Sequence, residues 1–593
     1  MSQVSSGPLP ALIRYYQRLA ADPSQPVPEF GFSREKIHFQ IVLEPDGTLP
    51  KDGLSDIRQP GSKGKRVARL LLVPDGGGRS GTGLKPFFCW DNTGYALGRD
   101  NKNNPERAAQ MFAAFRELHL SMRSEVGDDE GYAALCRFLE QWDPARAESL
   151  SNWQEAAGLN VVFKLRGREG FIHQSPAVRQ AWLRRLAIQS QAEGAIHAVS
   201  LISGQEEPIA RLHPLISGVA GANTTGAAIV SFNLDAFESY GKKQSFNAPV
   251  GVHDAFRYTT ALNRLLADDE RRVRIGDATV VFWTDRPQAG DSEKLLALIF
   301  GEDAPRGQAA AEHGVTLKRL EKFLHAAREG RLIDEVRDPE APFYVLGLSP
   351  NASRLNVRYW LAGTVQQFAQ RLARHAADLE MTCAPPNEPP LVIRRLLLET
   401  AREPKDVPPQ LAGEVARCVL GGLPYPQALF SAVIRRIRAD ATVNHRRAAI
   451  LKAYLIRNCN MKEVPVSLNK DHPDEAYHLG RLFAALEKTQ EDATDGQLSS
   501  TIKDRYFGAA AATPASVFPR LLRLYPHHLD KIEHEGLRNY REKLIGEIFG
   551  HISRFPSHMP LEKQGLFYIG YYHQRQDLFT RKDDSNQKEN AHE

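Results

Sequence analysis

The chain has 593 residues, 42% of them hydrophobic, with 76 Lys and Arg against 71 Asp and Glu and a formal charge of +5. This length predicts more than one core, and the near-balance of charge is too mild to establish nucleic-acid binding, so where the charge lies matters more. No run of about 18 apolar residues offers a membrane-spanning helix, and no secretory leader pattern is present, so a cytoplasmic location is expected. The five cysteines, Cys89, Cys136, Cys383, Cys418 and Cys459, lie far apart without C-x-x-C spacing. They read as reduced, packed thiols rather than a disulfide framework or zinc site.

Near the start, Ile37, Phe39, Ile41 and Leu43 alternate with other residues and end at Pro45-Asp46-Gly47, which predicts a strand and a turn. A first basic zone follows, in which Lys63, Lys65, Arg66, Arg69 and Arg79 face only Asp75. Its segment Val67–Val73 reads as a strand, and Pro74–Lys85 as a glycine-rich loop. Such a loop offers backbone N–H groups and cations to a duplex backbone, or is simply an exposed hairpin. It is no nucleotide-triphosphate loop, because Gly83 is followed by Leu84 rather than by Lys-Ser/Thr. Phe87, Phe88 and Trp90 could stack bases, but their position after a strand favours a core, and Asp91 with Asn92 is expected to make a turn rather than a catalytic pair.

Asn104 is expected to cap a helix opened by Pro105, and Ser175 one opened by Pro176. Further strands are expected at 160–165, 227–232, 278–283 and 343–348. Between them lies the most informative stretch, Ile209–Gly241, IARLHPLISGVAGANTTGAAIVSFNLDAFESYG. Gly218, Gly221 and Gly226 flank the polar tripeptide Asn223-Thr224-Thr225. Glycines permit close backbone approach, and short amide and hydroxyl side chains offer donors and acceptors to phosphates or base edges. The alternative is a tight strand connection. A polar, basic tip with Lys242, Lys243 and Gln244 follows directly; it reads as an ordinary exposed loop or as a wedge for an opened duplex.

Cys383–Pro390 (CAPPNEPP) cannot continue a helix and reads as a linker. Beyond it the pattern is helical, with breaks expected at Gly421-Gly422, Pro465, Pro514, Pro526 and Pro556. A second basic zone, 417–457, carries Arg435, Arg436, Arg438, Arg446 and Arg447 on helices with apolar stripes, and its one acid is Asp440. This face either is merely solvated or tracks phosphates. The expected fold class is α+β: a mixed body of short strands and helices over 1–384, then a C-terminal helical bundle over 385–593.

Catalytic patterns are absent. His253-Asp254 is a lone pair, and His527-His528, placed by Pro526 at an expected helix start, cannot share one helix face toward a metal. No HExxH or G-x-S-x-G occurs. We therefore expect no cofactor, no metal and no enzymatic activity; a metal-dependent nuclease with an unrecognised site is the alternative.

Segments spread along the chain carry a family resemblance: LIRYYQRLAADP at 12–23, GFSREKIHFQIVLEPDG at 31–47, FFCWDNTGYALGRD at 87–100, the Ile209–Gly241 stretch, FWTDR at 282–286, FYVLGLSPNASRLNVRYW at 343–360 and AYHLGRLFAALEKTQ at 476–490. Together they resemble the large subunit of the type I-C CRISPR surveillance complex, Cascade. The resemblance implies a subunit that reads the protospacer-adjacent motif in double-stranded DNA and helps open the duplex into an R-loop in antiviral defence. It implies as partners a guide-RNA ribonucleoprotein with backbone and guide-processing subunits, a small subunit and a separate helicase-nuclease. On this reading Asn223, Thr224 and Thr225 read the motif and Gln244 is a wedge in the opened duplex. Lys63, Lys65, Arg66, Arg79, Lys242, Lys243, Arg435, Arg436, Arg438, Arg446 and Arg447 contact the DNA backbone. In this family the small subunit arises by internal translation, and 461–593, beginning at Met461, resembles that product; its Lys503, Arg505, Arg520 and Arg523 would follow a nucleic-acid strand.

Overall fold

The computed structural model describes residues 7–24, 27–61, 65–77, 83–102, 104–191, 196–287, 338–382, 391–494 and 500–589. They fall into two compact units: Leu12–Leu215 with Val230–Leu262, and Met1–Ala11 with Ile216–Ile229 and Asn263–Glu593. The fold is α+β, with small sheets in both units and a helical C-terminal region.

In the first unit, β1 (Phe32–Ile37) pairs antiparallel with β6 (Arg69–Pro74). A four-stranded sheet runs in the order β3 (Leu54–Asp56), β2 (Phe39–Leu43), β8 (Asn160–Leu165), β7 (Trp90–Asn92), with β2 and β8 parallel. Two short antiparallel pairs complete the unit's strands: β4 (Gln59–Pro60) with β5 (Arg66–Val67), and β9 (His197–Val199) with β10 (Glu206–Pro208). The period-two pattern of β2 buries Phe39, Ile41 and Leu43 completely. The strand stops at the expected turn, where Gly47 N–H donates to the Glu44 carbonyl at 2.9 Å and Thr48 N–H to Asp46 Oδ1 at 2.8 Å. Asn104 accepts from Arg107 N–H at 3.0 Å and caps the Pro105–Ser121 helix. Ser175 gives its hydroxyl to the Asp129 carboxylate. Phe88 and Trp90 lie in cores of this unit; Asp91 and Asn92, expected in a turn, instead pair in β7 with Val161 and Asn160, and Asn92 also caps the short Thr93–Ala96 helix.

In the second unit, β11 (Arg272–Ile275), β12 (Ala278–Thr284), β13 (Pro342–Asn351) and β14 (Arg354–Thr364) form an antiparallel meander. Every residue of β12 is buried. Its core continues without interruption from Val273 in β11 through the helices to Leu578. The expected linker 383–390 lies outside the described residues, and side chains on both sides of it share that core. In the C-terminal bundle the Glu475–Asp492 and Leu561–Glu589 helices cross at backbone contact. A Cβ on Gly480 would come within 1.9 Å of the Phe567 carbonyl oxygen, and one on Gly570 within 2.1 Å of the Tyr477 carbonyl oxygen.

Two further expectations are corrected. The apolar run 227–232 forms no strand: only Ala227 and Ala228 make isolated bridges, to Ile216 and Arg354, after which the chain turns away. Pro526 does not break its helix, which runs from Pro514 to Leu529, so His527 and His528 occupy the last turn rather than a start. Pro526 has no N–H to give the Leu522 carbonyl, and the helix continues past that one missing bond as it does past Pro519.

Candidate nucleic-acid interface

The glycine loop is a closed, stapled structure on the sheet of the second unit. At its neck Ile216 and Ala227 exchange backbone hydrogen bonds of 2.8 and 2.9 Å. Ser217 N–H donates to Asn263 Oδ1 at 2.8 Å, Ala220 N–H to Thr279 Oγ1 at 3.0 Å, and Ala228 N–H to the Ser353 carbonyl at 3.0 Å. Ile216, Val219, Ala227 and Ala228 are buried beneath it. Gly218, Gly221 and Gly226 have φ of 91°, 79° and 99°, a region that disfavours any residue with a Cβ. Gly226 N–H closes a turn onto the Asn223 carbonyl at 2.9 Å, and Asn223, Thr224 and Thr225 are exposed at its tip. A rigid base thus presents three short polar side chains to solvent.

Lys242, Lys243 and Gln244 belong to the first unit, so the structure carries them on a different unit from the tripeptide. Lys242 N–H donates to the Ser239 carbonyl at 3.0 Å, closing a four-residue turn whose central residues, Tyr240 and Gly241, have φ of 55° and 72°. Two positive φ values in succession mark a type I′ turn, where Asn, Asp and Gly are preferred and a tyrosine is strained. Asn247 clasps the segment: its Oδ1 accepts from Ser239 N–H at 2.9 Å, and its Nδ2 donates to the Lys242 and Gln244 carbonyls at 2.8 and 2.9 Å. Gln244, also at positive φ (49°), accepts from Arg211 Nη1 at 3.1 Å. Lys242 and Lys243 are exposed, and Tyr240 is 99% exposed. Sequence reasoning missed Arg211, Tyr240 and Asn247; the aromatic directly before Gly241 was the one local signal of an unusual turn.

The remaining cations differ sharply in availability. Lys63 and Arg79 lie outside the described residues. Lys65 is exposed in the hairpin of β4 and β5. Arg66 is half-exposed but pairs with Asp56 at 2.8 Å and donates to the Arg58 carbonyl at 2.9 Å. The hydrogen bond from Arg58 holds the Asp56 carboxyl below its ordinary range, against the opposing effect of burial. Arg435 is exposed, whereas Arg436 pairs with Asp440 at 2.5 Å and Arg438 with Gln564. Arg446 lies 3.7 Å from Glu399. Arg447 is buried and committed to the fold: Nε meets Glu399 at 3.0 Å, one Nη meets Asp440 at 2.6 Å and the other the Thr442 carbonyl at 2.9 Å. In the bundle Arg505, Arg520 and Arg523 are exposed, and Lys503 sits 3.7 Å from buried Glu487.

The histidine pairs do not assemble into a site. His253 packs on the Phe30 ring (4.1 Å between centroids), and Asp254 pairs with Arg257 at 3.1 Å. Among the described residues no group of three or more His, Cys, Asp or Glu is placed to hold a metal, and no helix is long and apolar enough to cross a membrane.

These features define an α+β protein with two polar, backbone-clamped loops and exposed cations. A family model for CRISPR-associated protein Cas_Csd1 matches residues 12–579, and the chain belongs to that family. It is a CRISPR-associated Cascade subunit, as the resemblance of its sequence segments implies. No curated protein matches the chain.

Proposed function

We propose that this chain is the large subunit of a type I-C Cascade, that it reads the protospacer-adjacent motif in duplex DNA, and that it assists duplex opening into an R-loop. The observation that carries this reading is the exposure of Asn223, Thr224 and Thr225 on a loop whose neck and base are fixed by backbone bonds. A reader of base edges needs donors and acceptors that do not reorganise on binding. Gln244 acts on the opened duplex, and Lys65, Lys242, Lys243 and Arg435, with Lys63 and Arg79, contact phosphates. Arg66, Arg436, Arg438 and Arg446 join them only by loosening their present partners. The protein binds and presents DNA without cutting it; cleavage belongs to a separate helicase-nuclease recruited to the complex. Its other partners are the guide-RNA ribonucleoprotein with its backbone and processing subunits, and a small subunit, all in the cytoplasm.

The test is the assembled complex bound to duplexes that differ only in the bases beside the target. Replacing Asn223, Thr224 and Thr225 together by Ala should remove roughly 1–3 kcal/mol of discrimination between motifs while weakening general DNA affinity less. Unchanged motif preference in the triple variant would discard the loop as reader.

A further inference from the structure

The strained turn forms one wall of a cavity of about 560 Å³ in the first unit. Its apolar lining is Ile196, Ala198, Ile209, Phe246 and Pro249. Among the described residues its polar lining is Arg211, Lys242, Lys243 and Gln244, with Glu238 the one acid. This volume falls within the roughly 300–1,000 Å³ of small-ligand sites. The combination of an aromatic and aliphatic lining with three cations and an amide matches the separate parts of a nucleotide: a flat apolar base face, a hydrogen-bonding edge and an anionic phosphate. The wall is held in an unfavourable conformation rather than a relaxed one. Tyr240, Gly241 and Gln244 all have positive φ, and Asn247 holds the segment with three hydrogen bonds. Strain maintained at a cavity wall, with a fully exposed tyrosine at its tip, points to a binding role.

We propose that this cavity takes up one unpaired nucleotide of the opened duplex, with the base against Ile209 and Phe246, its edge at Gln244, and the phosphate at Lys242 and Lys243 beside Arg211. The proposal rests on the DNA-reading function above and adds to it a specific holding site that keeps the first separated pair from closing.

The experiment uses the assembled complex with the full chain, and target duplexes in which single nucleotides beside the motif, on either strand, are replaced in turn by abasic residues. An abasic position unpairs more easily than an intact one, so on the strand that does not pair with the guide RNA any drop in retention reports a missing base–protein interaction rather than harder opening; on the paired strand the same drop counts only where the cavity variants below abolish it. One position on one strand should shorten the lifetime of the opened complex about tenfold. That penalty should disappear when the cavity is filled by Ala198→Trp or stripped of charge by Lys242→Ala with Lys243→Ala. The abasic series on the unmodified protein does not depend on any variant folding. Equal lifetimes at every abasic position, with motif preference intact, overturn the cavity proposal and leave the motif-reading function standing. No motif-dependent retention of any duplex overturns both.

Discussion

Arg211 Nη1 lies 3.1 Å from Gln244 Oε1, a bond between residues 33 apart in the chain that occupies the oxygen of the amide. That bond orients the amide, whose nitrogen is a donor, and a donor suits the minor groove, where adenine N3 and thymine O2 are acceptors. Removing the guanidinium lets the amide rotate. Arg211→Ala should therefore relax base preference at one position by about 1 kcal/mol, beyond any uniform loss of affinity from the missing charge. Binding to a library of motif variants separates the two effects; a uniform loss across the library would show that Arg211 acts only as a cation.

Exposed lysines should announce themselves through salt. Each cation removed from a phosphate lowers the slope of log affinity against log salt by about 0.9 for duplex DNA. Lys65→Ala, Lys242→Ala and Lys243→Ala should each lower the slope by about one such unit, for all DNA sequences alike. Titrations of the assembled complex between low and physiological salt measure this. A triple variant with the parent slope would mean that these side chains are only solvated.

Arg447 should behave in the opposite way. Its guanidinium is buried against Glu399 and Asp440, and truncation leaves buried Glu399 without its closest cation. Breaking such a pair costs about 3–5 kcal/mol. Arg447→Ala should lower the unfolding midpoint clearly while leaving the salt slope of the folded fraction unchanged. A reduced slope at unaltered stability would return Arg447 to the DNA-contacting set.

These contrasts mark what the sequence made legible. Phe39, Ile41 and Leu43 could be read because side-chain period and burial coincide along one strand, and Asn104 because its capping partner is three residues away. The Asn223–Thr225 loop was visible through its flanking glycines, which report backbone conformation locally. Arg447 looked like part of a basic face because Glu399 lies 48 residues earlier, beyond any local pattern. Arg211 escaped notice for the same reason. The apolar run 227–232 misled because its hydrophobicity serves burial beneath a loop neck rather than pairing in a sheet.

Acid should loosen the fold through buried histidines. Burial pushes His375 down to about 3 and His119 and His173 to about 4, from an ordinary 6.5. His375 Nδ1 shares a 2.6 Å hydrogen bond with the Tyr425 hydroxyl. Below pH 6.5 the unfolded chain takes up protons that the native state refuses, so stability is full above that pH and falls as pH drops toward 4. Each such histidine contributes a slope of up to about 1.4 kcal/mol per pH unit. Thermal unfolding at pH 7, 6, 5 and 4 should show falling midpoints, with a shallower fall in His375→Gln. A flat profile across this range would remove the histidines from the account.

Met461 lies just beyond the His445–Asn458 helix, its N–H bonded to the Leu455 carbonyl at 3.1 Å. A product beginning there would have 133 residues, Met461–Glu593. It would keep the tightest helix crossing of the bundle, where Gly480 meets the Phe567 carbonyl and Gly570 the Tyr477 carbonyl. It would lose the surface on which its last helix rests in the full chain: Phe430 and Leu455 against Gly565, His445 beside Tyr572, and Arg438 on Gln564. A free product therefore carries an uncovered stripe on the Leu561–Glu589 helix, which favours seating against another subunit over a life as an isolated monomer. We expect the unmodified gene to yield, beside the full chain, a small co-purifying protein with the mass of Met461–Glu593. Changing the codon to give Met461→Ala should abolish it without removing the full chain. Intact-mass analysis of the purified complex decides the matter: a short C-terminal product that persists in the variant places its start elsewhere, and the absence of any such product from the unmodified gene ends the proposal.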